Sequence, residues 1–191
     1  MSTDPAVRKV DGVELPSAGT WVIDPDHTSI EAVARHMMFT KVRGRLHEFS
    51  GAIHVDEDPT KSWAEATIKA ASIDTNAADR DDHLRSPDFL DAETFPEITF
   101  KSTKLSSRNK GRFEVTGDLT IRGETRPVTL DVDFHGVATD PWGQAKAAFT
   151  ATGKLQREDW GMTWNQALEA GGVLVSKSLD LEIEAQTILQ S

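Results

Sequence analysis

Strict alternation of apolar and polar side chains over most of the chain is the feature that most limits how it can fold. Between residues 113 and 121 every second residue is apolar or glycine, and every residue between them is polar or charged. The same two-residue period recurs over residues 128–135 and 179–185. Successive side chains of a β-strand point to opposite faces, so this period marks strands with one buried and one solvated face. Such strands pair antiparallel, and the sequence therefore predicts an all-β protein.

About eight alternating segments follow one another, separated by turn-forming sequences, which is the spacing of an antiparallel sheet. Eight strands close most readily into a barrel, because closure leaves no unpaired edge. An antiparallel eight-stranded barrel is the predicted architecture, and a two-sheet sandwich is the alternative. The apolar face changes parity between Leu46 and Phe49, which predicts a β-bulge near His47 and Glu48.

Residues 80–100 are the one stretch in which the alternation stops. Charged side chains crowd its beginning, and Leu84, Phe89, Leu90 and Phe95 then follow at irregular spacing. A short helix that breaks at Pro87 and continues as a further turn accounts for this pattern. We predict a short helical insert that packs at one opening of the barrel as a lid.

The length of 191 residues predicts a single domain with a large core. Residues 19–191 form the predicted β-barrel domain. Residues 1–18 are predicted to be a loosely held extension, although Val10, Val13 and Leu15 could instead pair with a sheet edge. The first residues contain no long apolar run, so we predict no secretory signal and a cytoplasmic location.

The net charge of −10 disfavours two classes of partner. Nucleic-acid binding requires a basic surface that replaces phosphate counterions, so no nucleic-acid partner is predicted. The same charge argues against adsorption on an anionic membrane, and no apolar run is long enough to span a bilayer, so no stable membrane insertion is predicted. The chain has no cysteine, which excludes disulfides and thiolate metal sites.

Motifs for catalysis or metal binding are not found in the sequence. The six histidines lack the spacing of a metal site, and no serine lies in a nucleophile elbow, so neither a metal nor a catalytic residue is predicted. His27, Arg80, Asp81 and His83 are the candidates for a polar role: they could form a hydrogen-bonded network that holds the lid, or orient the head group of a ligand. The alternative function is an enzyme that uses His27, Arg80 and His83 on a small substrate at the barrel mouth.

Small residues are frequent on the predicted inward face, for example Ala32, Ala34, Gly44, Ala66 and Ala151. They could interlock with larger inward side chains in a dense core. They could equally leave an elongated void, which would suit a long and thin apolar chain. A stress-linked protein with a filled core is therefore a further alternative.

Several motifs between residues 21 and 185, taken together and in order, resemble the YceI-like family of polyisoprenoid-binding proteins. The motifs are Asp24-Pro25-Asp26-His27-Thr28-Ser29-Ile30, Arg80-Asp81-Asp82-His83-Leu84, Phe95-Pro96-Glu97-Ile98-Thr99-Phe100 and Gly117-Asp118-Leu119-Thr120-Ile121-Arg122-Gly123, the last followed by Arg126-Pro127-Val128.

The resemblance implies a lipocalin-like barrel whose long pocket holds an isoprenoid-type lipid, such as a polyprenol or the tail of an isoprenoid quinone. It implies a homodimer, no catalytic activity and no cofactor apart from the bound lipid. The predicted function is non-enzymatic binding of such a lipid for transport or storage. The residues predicted to line the pocket are Ile30, Ala32, Ala34, Val42, Phe49, Ile53, Ile68, Leu84, Phe89, Leu90, Phe95, Ile98, Phe100, Phe113, Val115, Leu119, Leu130, Val132, Phe134, Phe149, Trp160 and Leu181.

The chain also departs from the pattern of the family it resembles. Ala32 stands where members usually carry an aromatic residue, which predicts a wider pocket near the first strand. Trp160-Gly161 stands in place of a Phe-Gly pair, and Trp160 and Trp164 are predicted to narrow or cap another part of the pocket.

Overall fold

A computed structural model describes residues 6–190, in which β-strands dominate and one α-helix, α1, spans Ala78–Arg85. In chain order the strands are β1 (Val7–Val10), β2 (Val13–Pro16), β3 (Gly19–Ile23), β4 (Ser29–His36), β5 (Thr40–Leu46), β6 (Phe49–Val55), β7 (Trp63–Lys69), β8 (Ile73–Asp74), β9 (Glu97–Asn109), β10 (Arg112–Ile121), β11 (Glu124–Thr139), β12 (Ala145–Gln156) and β13 (Ser178–Leu189).

Strands β3 to β13 close into an antiparallel eight-stranded barrel, which confirms the predicted fold class and excludes the sandwich. β3 and β4 act as one wall strand because both pair with β13, and β5 and β6 form the next wall strand. β7, β9, β10, β11, β12 and β13 complete the ring, and the long β12–β13 ladder closes it.

The predicted β-bulge near His47 and Glu48 is a complete break between β5 and β6. The backbone N–H of His47 donates to the hydroxyl of Ser72 at 3.1 Å, outside the strand ladder. The change of parity is therefore accommodated by ending one strand and starting another, which also bends the barrel wall.

One end of the barrel, here called the helix end, is covered by α1 and residues 157–177. α1 ends at Arg85, before Pro87, as the sequence predicts, and no helix among residues 6–190 is long and apolar enough to cross a bilayer. Arg85 ties the helix to the barrel by donating to the carbonyls of Ala71 and Ile73 at 2.8 and 2.9 Å. The segment after the helix then places Phe89, which is buried, over the barrel interior.

The opposite end, here called the hairpin end, is covered by β1 and β2. These strands pair with each other in a separate two-stranded sheet, so residues 6–18 are neither the predicted loose extension nor an addition to a sheet edge. Ala6 packs in a buried cluster with Trp21, whose Nε1 donates to the carbonyl of Ser17 at 3.0 Å. Four-residue strands are too short to display the period on which the prediction relied, and residues 1–5 of the predicted extension lie outside the described residues.

A cluster of charged side chains stabilises the outer wall between the end of β3 and the start of β4. The carboxylate of Asp24 accepts hydrogen bonds from His27 Nδ1 at 2.9 Å, Lys146 Nζ at 3.2 Å and the Asp26 amide at 3.2 Å. Lys146 also lies 3.6 Å from Asp140. Burial of the Asp24 carboxylate raises its pKa, but the hydrogen bonds from His27, Lys146 and Asp26 outweigh burial and lower the pKa below its ordinary value.

Asp24→Asn is expected to destabilise the protein at neutral pH by about 2 kcal/mol, because it removes charge-assisted hydrogen bonds in a largely buried cluster. A lowered folded-state pKa makes this contribution fully present above the unfolded pKa of about 4 and lost as the pH falls through the folded-state pKa. Urea unfolding at neutral and acidic pH measures the difference between the two proteins. It should shrink in acid, and a difference that is constant with pH would contradict the assignment.

Asp180→Asn is the matched control for this measurement. Asp180 pairs with Lys154 at 3.7 Å on the exposed face of β13, and its side chain is 42% exposed. Exposed ion pairs contribute about 0–1 kcal/mol, so this substitution should change the free energy of unfolding little at either pH.

Candidate functional site

An elongated cavity of about 530 Å³ occupies the barrel interior. It is lined along β10 from Phe113 to Ile121, which is roughly 26 Å of extended strand. Pockets that hold small-molecule ligands typically enclose about 300–1,000 Å³. The filled-core alternative is therefore wrong, because the barrel encloses a space of ligand size.

Small residues on neighbouring wall strands create this space. Ala32 of β4 lies opposite Gly44 of β5, and both line the cavity. Ala151 of β12 is flanked by Val132 on one neighbouring strand and Ile183 on the other, and all three also line it. The larger side chains on these strands do not reach across the barrel, so the axis remains empty.

Most residues that the sequence assigns to the pocket are brought together in this lining. They are Ile30, Ala32, Ala34, Val42, Ile53, Ile68, Leu84, Phe89, Leu90, Ile98, Phe100, Phe113, Val115, Leu119, Leu130, Val132, Phe149 and Leu181. Alternation identified those on the wall strands because an inward-facing position of any wall strand borders the axis of a closed barrel, whereas Leu84, Phe89 and Leu90 were assigned from the helical insert. Their contact with a ligand stays a prediction.

Phe134 and Trp160 lie outside the lining, contrary to the prediction. Phe134 packs at the hairpin end with its ring centroid 5.3 Å from that of Phe149, below the cavity. Trp160 is 2% exposed, and its Nε1 donates to the carbonyl of Leu119 at 3.1 Å. Trp160 is thus part of the packed core, whereas Trp164 does border the cavity.

Phe49 and Phe95 are also absent from the lining. Phe49 starts β6 directly after the break in the wall strand and packs against the core cluster that contains Ile68. Phe95 lies against the β10–β11 turn, where a Cβ on Gly123 would come within 2.8 Å of its ring. Both aromatic rings pack against other parts of the protein, so neither ring borders the cavity.

Apolar residues that the sequence analysis did not assign complete the walls. Examples are Ile121, Leu155, Leu179 and Ile183. The signal for them was present, because Leu179 and Ile183 share the inward face of β13 with Leu181. Extending each alternating face to the end of its strand would have found them.

Arg80 and Asp81 form a network at the helix end that holds α1 to the chain before it. The buried carboxylate of Asp81 accepts from the backbone N–H and the hydroxyl of Thr75 at 2.8 and 2.6 Å. Arg80 donates to the Thr75 hydroxyl at 2.7 Å and to its carbonyl at 2.9 Å. Arg80 lines the cavity, whereas Asp81 does not. The predicted role of Arg80 and Asp81 in holding the lid therefore has a structural basis in their hydrogen bonds to Thr75.

His83 lines the cavity one turn further along the same side of the helix. Its Nε2 lies 2.8 Å from a carboxylate oxygen of Asp88. Its ring meets those of Phe89 and Trp164 edge-on, with centroids 5.0 and 4.6 Å away. His83 therefore joins the polar surface of the lid to the aromatic cover of the cavity.

Arg157 is a cavity residue that sequence reasoning missed, and no motif marked it. Arg157 is 1% exposed, and its guanidinium donates to the carbonyls of Ser176 at 2.8 Å, Met162 at 2.6 Å and Val175 at 3.5 Å. Burial lowers the pKa of Arg157 from its ordinary value, and the opposing effect of Glu158 is smaller. Arg157 thereby clamps residues 162–176 over the helix end and adds positive charge beside the cavity.

His27 does not join the polar residues of the helix end, contrary to the predicted cluster. It follows β3 on the outer wall, is bound to Asp24 and is absent from the cavity lining. The enzyme alternative required His27, Arg80 and His83 to converge at one mouth, and the structure separates His27 from the other two. Among residues 6–190, no group of three or more histidine or acidic side chains is arranged to hold a metal ion.

Comparison with known proteins agrees with this architecture. A family model described as the YceI-like domain matches residues 21–187. A UPF0312 protein of Vibrio parahaemolyticus is 40% identical over 146 residues, which cover 75% of this chain and 77% of that protein.

Two solved structures share the fold. BcnA from Burkholderia cenocepacia superimposes with a TM-score of 0.75 at 22% identity, covering 86% of this chain and 98% of that one. A polyisoprenoid-binding domain from Saccharophagus degradans superimposes with a TM-score of 0.69 at 11% identity, covering 91% and 100%. At these identities the two structures establish the barrel alone. Together with the family match over residues 21–187, the fold and cavity show that this chain belongs to the YceI-like family.

Proposed function

We propose that this protein binds a long-chain isoprenoid-type lipid, such as a polyprenol or an isoprenoid quinone, for transport or storage and without catalysis. The observation that carries the proposal is the elongated cavity, about 530 Å³, enclosed by the barrel. Its wall side chains are predominantly apolar from Leu105 near one end to Leu179 near the other. A narrow apolar space of this length matches a flexible hydrocarbon chain better than a compact polar metabolite.

The energetics of burial support a lipid chain as the ligand. Each methylene group removed from water contributes about 0.8 kcal/mol. A chain of about twenty carbons would gain on the order of 15 kcal/mol gross, from which the cost of ordering the chain is subtracted. Tight binding is therefore attainable with few polar contacts.

The polar head of the lipid is proposed to lie at the helix end. Arg80 and His83 line the cavity there, and Arg157 adds a buried positive charge nearby. A quinone carbonyl or a prenol hydroxyl can accept a hydrogen bond from an arginine or histidine N–H. Arg80 and His83 are thus the proposed head-group contacts, whereas Asp81 supports the lid through Thr75.

One structural neighbour suggests which ligand class to test first. The Saccharophagus degradans domain that shares this fold is described as polyisoprenoid-binding. The similarity in fold makes an isoprenoid-type lipid the first ligand to test here.

Organic extraction of the purified protein followed by mass spectrometry tests the proposal. We expect an isoprenoid-type lipid in stoichiometric amount, and we expect delipidated protein to bind an added quinone or prenol in a fluorescence-quenching titration. Trp63 and Trp164 both border the cavity, so quenching of tryptophan fluorescence would report occupancy. The proposal would be overturned if no lipid co-purifies and the delipidated protein binds no added quinone or prenol.

A further inference from the structure

Three consecutive apolar side chains protrude from the turn between β4 and β5. Met37, Met38 and Phe39, here called the Met-Phe turn, are 47%, 55% and 82% exposed. They make up half of the exposed large apolar side chains among residues 6–190. Contiguous exposed apolar side chains on a soluble domain mark interaction sites more often than isolated ones do.

The backbone of this turn makes the choice of residues unexpected. Met37 and Met38 have φ angles of 49° and 70°, in the left-handed region that glycine and asparagine adopt most readily. Two methionines there oppose the local turn preference, and a local conflict of this kind indicates a role outside folding. The turn is also held in place, because Met37 donates its N–H to the carbonyl of Leu174 at 2.8 Å and Arg35 Nη1 donates to the carbonyl of Phe39 at 3.2 Å.

Basic residues surround the Met-Phe turn, although the chain carries a net charge of −10. Residues 32–47 contain Arg35, Lys41, Arg43 and Arg45 and no aspartate or glutamate. Arg43 pairs with glutamates of β4 and β13, whereas Arg35, Lys41 and Arg45 form no ion pair among the described residues. At physiological ionic strength charges act over about 8 Å, so this local cluster, not the net charge, determines which surfaces the turn can approach.

The Met-Phe turn borders the lipid-sized cavity. His36, which is exposed, lines the cavity and bridges to Val175, another lining residue. Met38 packs against Gly172 of the segment that covers the helix end. The Met-Phe turn and its basic neighbours therefore lie beside the helix end of the cavity, where the exposed residue His36 forms part of the lining.

We infer that the Met-Phe turn docks this protein on the surface of an anionic lipid bilayer. Met37, Met38 and Phe39 enter the boundary between head groups and acyl chains, and Arg35 and Lys41, which lie opposite each other on β4 and β5, contact the anionic head groups. Asp79 and Asp82 of α1 are exposed at the same end, so the barrel tilts to turn α1 away from the bilayer. Docking is reversible, because three side chains insert and no helix among residues 6–190 is long and apolar enough to cross the bilayer.

Vesicle cosedimentation tests this inference with the full chain. We expect binding to phosphatidylcholine vesicles that contain phosphatidylglycerol, weak binding to phosphatidylcholine alone, and release at high salt. The variant Met37→Asn/Met38→Gly/Phe39→Ser should lose at least about tenfold in binding, yet fold as well as the parent, because asparagine and glycine suit positive φ angles. Lys41→Glu should lose about fivefold or more, since one basic residue near an anionic leaflet contributes about that factor.

Trp142→Ser is the matched control, because Trp142 is 84% exposed in a turn at the opposite end of the barrel. Its binding to vesicles should equal that of the parent. The chain has no cysteine, so Phe39→Cys and Trp142→Cys can each carry a single environment-sensitive fluorophore. Anionic vesicles should shift the emission of the label at position 39 to the blue and leave the label at position 142 unchanged.

Several results would overturn the inference. Equal binding to anionic and neutral vesicles, or unchanged binding by the triple variant, would exclude the Met-Phe turn as an anionic docking element. A parent dimer that the triple variant dissociates, without vesicle binding, would instead assign the turn to contact between copies. None of these results bears on whether the cavity holds a lipid, because extraction and titration measure that separately.

Discussion

Replacing Ala151 with phenylalanine is expected to lower lipid affinity at least about 100-fold while the barrel stays folded, a loss of about 2.7 kcal/mol in binding. Ala151 lines the cavity at mid-strand between Val132 and Ile183. An aromatic ring there would displace about four methylene groups of the ligand, each contributing about 0.8 kcal/mol. The ring enters existing space, so the free energy of unfolding of the lipid-free protein should change by less than about 1.5 kcal/mol.

The matched control is Ala148→Phe, which adds the same ring to the same strand. Ala148 is exposed and lies on the outer face of β12. Its lipid affinity should stay within about twofold of the parent, since surface substitutions rarely act at a distance. Lipid titration measures the affinity of both variants, and urea unfolding measures their stability. Undiminished lipid binding by Ala151→Phe would mean that the ligand lies outside this part of the cavity.

Replacing Trp160 with alanine is expected to destabilise the protein by about 3–5 kcal/mol, the usual cost of removing a buried aromatic side chain. Trp160 is almost completely buried, and its Nε1–H is bound to the Leu119 carbonyl at 3.1 Å. Trp160→Phe keeps a ring and loses that hydrogen bond, which should cost about 1–3 kcal/mol because the carbonyl is left without its donor. Urea unfolding measures both losses.

Lipid binding separates this packing role from the predicted pocket role. Folded Trp160→Phe should bind lipid as the parent does, since Trp160 is outside the cavity lining. Trp142→Ala, at an exposed turn, is the control and should change stability by no more than about 0.5 kcal/mol. A large loss of lipid affinity in Trp160→Phe with intact stability would favour the original sequence-based assignment.

Alternation predicted the inward faces well because a β-strand has only two faces. Ile30, Ala32 and Ala34, for example, line the cavity on the face where the two-residue period places them. The helical insert was also predictable, since Pro87 ends a helix and irregular apolar spacing cannot form a strand. The N-terminal hairpin escaped prediction because its strands are four residues long.

The net charge was a poor guide to the surface. The net charge sums over the whole chain, which is acidic, whereas Arg35 and Lys41 lie opposite each other beside an exposed apolar turn. Electrostatic attraction decays within about a Debye length, so a partner responds to the local arrangement of charges. The sequence shows this cluster, but its significance depends on where the turn lies relative to the cavity.

The two-residue period and the interruption before Pro87 were enough to predict antiparallel strands, their inward faces and the position of the helix. Three further features depended on how the strands pack in three dimensions: the interior is hollow, Trp160 packs in the core instead of bordering the cavity, and Arg157 lies beside the helix end. The two-residue period of apolar and polar side chains specifies only which face of a strand is buried. The space between opposing faces depends on strand number, register and closure of the ring.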